Sequence, residues 1–184
     1  VKNSALNAMA EALEANRSVI LEANAEDVRD SEGKVPAEIL SRLRLSDSKI
    51  SDMVFSLKDV AALPDPVGET MSATELDENL VLYQVRCPIG MIGVIFESRP
   101  DVVPQIMSLC LKSGNSIAFK GGSEARRSNR VLFDILRDAA VSAGVPGKAF
   151  VLMETREDIA EILKLDSYID LFIPRGSYSF VRYI

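Results

Sequence analysis

Ile95-Phe96-Glu97-Ser98-Arg99-Pro100-Asp101 is followed one secondary-structure unit later by Lys120-Gly121-Gly122-Ser123-Glu124-Ala125-Arg126-Arg127-Ser128-Asn129. In each stretch an apolar run stops at charged and small polar residues. Such runs read as buried strands that deliver loops to the edge of a sheet, where α/β folds bind their ligands. Together the loops offer cations, a glycine pair and a helix start, which suit an anionic ligand.

The pattern around these loops is a regular alternation. Met91 to Phe96 reads as a buried strand and Val102 to Lys112 as a helix. Ser116 to Phe119 is a second strand, and Ser123 to Ala143 a second helix with Val131, Leu132, Ile135, Leu136 and Ala139 inward. Ala149 to Met153 is a third strand, and Thr155 to Leu163 a third helix with Thr155 and Asp158 set as a capping box. Ile169 to Ile173 is a fourth strand, after which Pro174-Arg175-Gly176-Ser177 opens a turn. This order predicts a parallel sheet with helices on its faces.

Upstream, the chain reads as helices. Leu6, Met9, Ala10 and Leu13 form an apolar stripe that Ile20, Leu21 and Val28 continue after a break near Asn16-Arg17. Pro36 opens a short helix carrying Ile39, Leu40 and Leu43. Ser46 caps a longer one with Ile50, Met53, Val54, Leu57 and Val60 inward, and Pro64-Asp65-Pro66-Val67-Gly68 ends it. Leu80 to Cys87 alternates as a strand that Pro88 stops. The expected division is a helical segment over 1–78 and a sheet domain over 79–184.

Composition limits the function classes. The 184 residues are 47% hydrophobic and 26% charged, an ordinary balance for a chain that buries a core. A net charge of −6 argues against a nucleic-acid surface. Val1-Lys2-Asn3-Ser4 runs into an amphipathic helix, so no signal peptide is expected, and no apolar run reaches membrane-spanning length. A soluble, cytoplasmic protein is the expectation. Histidine is absent, which excludes Ser-His-Asp and Cys-His catalysis within the chain. Cys87 and Cys110 form neither a disulfide framework nor a metal spacing. Cys110 falls on the apolar side of its helix; Cys87, beside Arg86, has nothing else that suggests a nucleophile's pocket.

Each loop carries a chemical reading and a plain one. Gly121-Gly122 permits positive φ and close backbone approach, Ser123 caps the next helix, and that helix's free N–H groups favour an anion beside the mobile cation of Lys120. An ordinary strand-to-helix turn with solvated charges has the same sequence. Arg99 has the two-pronged geometry to clamp a carboxylate or phosphate, and Ser98 or backbone N–H groups can stabilise an oxyanion. The plain alternative is a surface pair of Glu97 with Arg99. Arg175 lies on the same sheet edge if the strands are parallel. Neither G-x-G-x-x-G nor G-x-x-x-x-G-K-[ST] occurs, so a nucleotide site must use another construction.

At these residues the chain resembles the gamma-glutamyl phosphate reductase family (glutamate-5-semialdehyde dehydrogenases), a divergent branch of the aldehyde dehydrogenase superfamily. The strings that carry the resemblance are Cys87-Pro88-Ile89-Gly90-Met91-Ile92-Gly93-Val94-Ile95-Phe96-Glu97-Ser98-Arg99-Pro100, Ser113-Gly114-Asn115, Lys120-Gly121-Gly122-Ser123-Glu124-Ala125, Ser128-Asn129, and Ile169-Asp170-Leu171-Phe172-Ile173-Pro174-Arg175-Gly176-Ser177. Leu21-Glu22-Ala23-Asn24, Asp27 and Arg42-Leu43 add to it. The resemblance implies an α/β fold: a Rossmann-like parallel sheet flanked by helices, with an amino-terminal helical segment, forming an incomplete aldehyde dehydrogenase-like cofactor domain. It implies NADPH as cofactor, with Lys120, Gly121, Gly122 and Glu124 at the adenine ribose. It further implies that Arg126 or Arg127 serves the 2′-phosphate, that Gly176-Ser177 opens the helix under the pyrophosphate, and that Arg175 belongs to the cofactor-binding residues. Ser98 marks the oxyanion-stabilising amide and Arg99 the substrate's phosphate or carboxylate.

The implied reaction reduces L-glutamyl 5-phosphate to L-glutamate 5-semialdehyde in proline biosynthesis. A thiolate displaces phosphate to give a thioester, which hydride from NADPH releases as the aldehyde. Neither Cys87 nor Cys110 matches the nucleophile's motif, so the catalytic domain is expected downstream and this chain alone is expected to be inactive. The family's dimerising hairpin is expected to be incomplete, and the complete protein a homo-oligomer. The partners implied are the small-molecule substrate and, in some settings, a glutamate kinase, with no nucleic acid and no membrane. A bifunctional kinase/reductase synthase and a non-catalytic nucleotide-binding module of the same fold are the alternatives.

Overall fold

The computed structural model describes residues 1–154, 163–165 and 167–183. Four helices open the chain: α1 (Lys2–Ala15), α2 (Arg17–Ser31), α3 (Ala37–Leu43) and α4 (Asp47–Ala62). Leu6, Met9 and Leu13 are fully buried, as their spacing requires, and the break falls at Asn16. Ser46 caps α4 by accepting the Lys49 N–H at 3.3 Å. The inward face of α2 is the exception, because it buries Ile20 together with polar Asn24, Asp27 and Ser31.

An antiparallel hairpin follows, β1 (Thr70–Asp77) with β2 (Leu80–Val85), paired from Thr70↔Val85 to Asp77↔Leu80. The pairing runs the length of both strands. The Asn79 backbone at the turn is left-handed at φ 63°, a conformation asparagine tolerates better than most residues. Both strands are exposed along their whole length.

The sheet is built from β3 (Met91–Phe96), β4 (Ser116–Lys120), β5 (Phe150–Met153) and β6 (Leu171–Arg175), all parallel, in the order β5-β4-β3-β6. Helix α5 (Val102–Lys112) joins β3 to β4. A 3₁₀ turn (Ser123–Ala125) and α6 (Arg126–Ser142) lead from β4 toward β5. The short α7 (Tyr178–Tyr183) follows β6. The predicted helix from Thr155 lies outside the described residues.

From β3 the chain steps to β4 and β5 on one side and returns to β6 on the other. Direction therefore reverses beside β3, and the crevice between the β3 and β6 carboxyl ends is the topological switch point where open α/β sheets bind ligands. β3 is buried from Ile92 to Phe96, as a central parallel strand should be.

One core runs from the sheet through α5 and α6 to the opening helices: α1 packs on α4 and α6, and α2 on α6. The buried Lys112 clasps this layer, donating to Asn3 Oδ1 at 2.7 Å and to the Ala61 carbonyl at 3.0 Å. On the opposite face Ala118 and Ile169 pack with Met91, Met153 and Phe172. A Cβ on Gly93 would lie 2.8 Å from the Phe172 ring, so glycine is what lets β6 lie against β3 there.

Candidate functional site

The carboxyl ends of β3, β4 and β6 come together, and hydrogen bonds stitch their loops. Ser98 is buried and holds a left-handed backbone at φ 44°. That conformation costs a residue with a side chain of order 1 kcal/mol or more and tends to occur at functional sites. It is held by a hydrogen bond from the Ser98 hydroxyl to the Glu124 carboxylate, which joins the first loop to the second. Glu97 joins the first loop to the third: its N–H donates to the Arg175 carbonyl at 3.3 Å, and its carboxylate accepts the Ser177 N–H at 2.8 Å. With its hydroxyl committed, Ser98 keeps its backbone N–H, which makes no hydrogen bond among the described residues.

Glu97, Ser98, Arg99, Arg175 and Ser177 line a cleft of about 410 Å³ whose opposite wall, Pro36, Glu38, Ile39 and Arg42, comes from α3 and its lead-in. Sequence reasoning assigned α3 no part in a site. A larger cavity of about 450 Å³ lies between α5 and the sheet, lined by Ile92, Val94, Ile106 and Ile173. It is the more apolar of the two, whereas the smaller cleft gathers guanidinium groups, a serine pair and a free N–H. A ligand site needs convergent polar groups to fix orientation as well as volume.

Several sequence expectations change at atomic detail. Lys120 is buried rather than a mobile cation, and its Nζ donates to the carbonyls of Gly121 at 3.0 Å and Glu154 at 3.1 Å, pinning the loop from below. Neither Gly121 nor Gly122 has positive φ. Close approach is what they provide, and the approaching groups belong to the chain itself. A Cβ on Gly121 would lie 2.1 Å from Asn129 Nδ2, and one on Gly122 2.1 Å from Glu124 Oε1. The buried Asn129 Oδ1 has no hydrogen-bond partner among the described residues.

Ser123 makes no capping bond, and Ala125 occupies the cap position of α6. The anion at that helix start is Asp27 of α2. Its carboxylate accepts the N–H groups of Arg127 and Ser128 at 3.3 and 2.8 Å and the Ser128 hydroxyl at 2.7 Å. Asn24 extends the network, donating to Ser128 Oγ and the Leu43 carbonyl and accepting the Leu45 N–H at 2.7 Å. The helix start expected to receive a ligand anion is thus filled from within the fold. A signal existed: Asn24, Asp27 and Ser31 follow Ile20 at helical spacing, polar residues where the apolar stripe should continue.

The arginines separate by partner. Arg99 pairs with Asp101 at 2.7 Å rather than with Glu97, and that carboxylate raises the guanidinium pKa further. Arg175 donates to Gln105 Oε1 at 3.3 Å. Arg127 is engaged by Asp30, Glu26 and Asp27 of α2 at 2.7, 3.1 and 3.3 Å. Arg126 is 65% exposed, and among the described residues its one ion-pair partner is Glu154 at 3.7 Å. Arg130 holds Glu154 in a two-pronged pair, which lowers the Glu154 pKa.

Neither cysteine belongs to the loops. Burial pushes the Cys110 thiol up to about 11, so it stays protonated near neutrality. Cys87 is exposed at the rim of the apolar cavity. Among the described residues no group of three or more His, Cys, Asp or Glu side chains is placed to hold a metal ion, and no helix is long and apolar enough to cross a membrane.

Comparison with known proteins gives this geometry a setting. No protein-family model matches the chain. The gamma-glutamyl phosphate reductase of Methanosarcina mazei is 60% identical over the whole chain. From end to end, this chain is similar to part of gamma-glutamyl phosphate reductase. It spans 42% of the length of that relative. The crystal structure of gamma-glutamyl phosphate reductase from Saccharomyces cerevisiae superimposes with a TM-score of 0.93 at 41% identity, over 99% of this chain and 47% of the other. An NAD-dependent benzaldehyde dehydrogenase from Corynebacterium glutamicum has a TM-score of 0.76 at 19% identity, over 99% of this chain and 38% of the other. That likeness is one of fold, and it is the aldehyde dehydrogenase fold the resemblance implied.

Proposed function

We propose that the protein carrying this chain reduces L-glutamyl 5-phosphate to L-glutamate 5-semialdehyde with NADPH, releasing phosphate, as a step of proline biosynthesis. The observation that carries the reading is the stitched crevice at the β3/β6 switch point, where the strained Ser98 holds an open N–H. The 60% identity to a reductase of that name supports the choice of reaction.

The residues present fit a dinucleotide. Glu124 spends one carboxylate oxygen on Ser98 and keeps acceptor capacity for ribose hydroxyls. The Ser177 N–H already holds a carboxylate, that of Glu97, so this donor is aimed at an anion. In this reading Glu97 gives way to the pyrophosphate, while Gly176 leaves the backbone accessible. Lys120 pins the Gly121-Gly122 turn from below and so sets where Glu124 stands. Arg126, mostly exposed, is the residue for the 2′-phosphate, because Arg127 is engaged by three acids of α2. The cofactor supplies a hydride when bound.

At the substrate, the Ser98 N–H stabilises the oxygen that gains charge as the acyl carbon becomes tetrahedral. Arg99 holds the phosphate or carboxylate, with Asp101 fixing its fork. The complete protein is a homo-oligomer in the same reading, supported by the apolar side chains that the hairpin exposes, Leu80, Leu82 and Tyr83 among them. Steady-state assay of the full-length protein tests the reaction: glutamyl phosphate should drive NADPH oxidation with one phosphate released per NADPH consumed. No oxidation above the rate without acyl phosphate would refute the proposal.

A further inference from the structure

Helix α3 brings two charged side chains to the cleft that the three loops leave unexplained. Arg42 and Glu38 line the same space as Ser98, Arg99 and Ser177, and both are exposed. They stand four residues apart, acid before base, the arrangement that ordinarily forms an ion pair along a helix. Here it does not form: neither side chain makes a hydrogen bond or ion pair with any described residue.

The neighbouring charges are all engaged. Arg44 pairs with Glu32 at 3.2 Å, Arg99 with Asp101, Arg175 with Gln105, and the Glu97 carboxylate holds the Ser177 N–H. Arg42, in the last turn of α3, has its charge favoured by the helix carbonyl end while its donors stay available. A guanidinium presents a planar fork of N–H donors that matches a carboxylate, and a carboxylate accepts readily from an ammonium group. An adjacent Arg and Glu with open hydrogen-bonding capacity, one turn apart on a cleft wall, complement a group that carries both charges on one carbon.

We propose that Arg42 and Glu38 recognise the zwitterionic head of an α-amino acid, Arg42 taking its α-carboxylate and Glu38 its α-ammonium. The reacting end of the ligand then extends toward Ser98 and Arg99. This assignment rests on the function proposed above and specifies its substrate: an acyl phosphate must carry a free α-amino acid head to be used well. Arg99 is left to the phosphate end.

The test uses the full-length protein with saturating NADPH and two substrates, glutamyl phosphate and glutaryl phosphate, the second lacking the ammonium group. Wild type should prefer glutamyl phosphate by about tenfold or more, the worth of one charge-assisted contact. Arg42→Ala should lose about tenfold or more in kcat/KM on both substrates, chiefly through KM. Glu38→Gln should lose on glutamyl phosphate alone and erase the preference, and the KM for NADPH should stay as in wild type in both variants. Wild-type kcat/KM and preference in both variants would overturn the assignment.

A second measurement is independent of turnover. L-glutamate should raise the Tm of wild type and not that of Arg42→Ala. An equal shift in both, or none in wild type, would also overturn the assignment. A protein that turns over no acyl phosphate yet shows the Arg42-dependent shift would refute the reductase reading and leave the amino-acid site standing.

Discussion

Removing the Asp27 carboxylate leaves the Ser128 N–H, the Ser128 hydroxyl and the Arg127 N–H without their acceptor in a buried place. A lost helix cap combined with unsatisfied buried donors costs about 3 kcal/mol. Asp27→Ala should therefore lower the urea midpoint without changing the slope, and an unchanged midpoint would remove Asp27 from the cap. The cysteines give a pH-dependent test. A thiol whose pKa lies at about 11 is almost wholly protonated at pH 8, so iodoacetamide should label exposed Cys87 and spare Cys110 until the protein is unfolded. Labelling of Cys110 as rapid as that of Cys87 in the folded protein would contradict its burial. Lys120 and Glu124 were legible from sequence as loop residues, but their partners were not. Whether a lysine reaches into solvent or folds back onto two carbonyls depends on the far strand end, which no local pattern encodes.

The loop after β4 exists in its present shape because two glycines admit two side chains. Gly121→Ala sets a Cβ against Asn129 and should destabilise the protein by about 1–3 kcal/mol, as overpacking does. Adding Asn129→Ala should recover part of that loss, a coupling read from the double-mutant cycle in urea denaturation. Additive losses would mean the clash lies elsewhere. Lys120→Ala loosens the same turn, so in the full-length protein it should raise the KM for NADPH more than it lowers kcat. A collapsed kcat with unchanged KM would give Lys120 a different role. The elements themselves were readable where one face is buried: α1, α4 and β3 to β6 follow period 3.6 or short apolar runs. β1 was not: Thr70–Asp77 lacks the regular alternation by which the equally exposed β2 was read. Nor was α3's part in the cleft, since its short stripe of Ile39, Leu40 and Leu43 says nothing of what its charged face meets.

Strand order decides what the molecule can do. The return from β5 across β3 to β6 opens the crevice, and it makes the loops at Ser98, Glu124 and Ser177 neighbours although they are far apart in sequence. The alternation of strands and helices pointed to a parallel sheet but left its order open, so convergence of the loops was conditional until the pairing was known. In the proposed reading the residues of this sheet hold and orient ligands. Cys110 is buried with a raised pKa and Cys87 lies outside the cleft that gathers Ser98 and Arg99, so the 184-residue chain by itself should not form semialdehyde. The central claim, that the crevice is the nicotinamide cofactor site, is tested most directly by calorimetric titration of NADPH into the full-length protein and its Glu124→Ala variant. Saturable binding by wild type at one NADPH per chain, weakened about tenfold or more in the variant, is predicted. Equal affinity in the two proteins, or no binding by wild type, would contradict it.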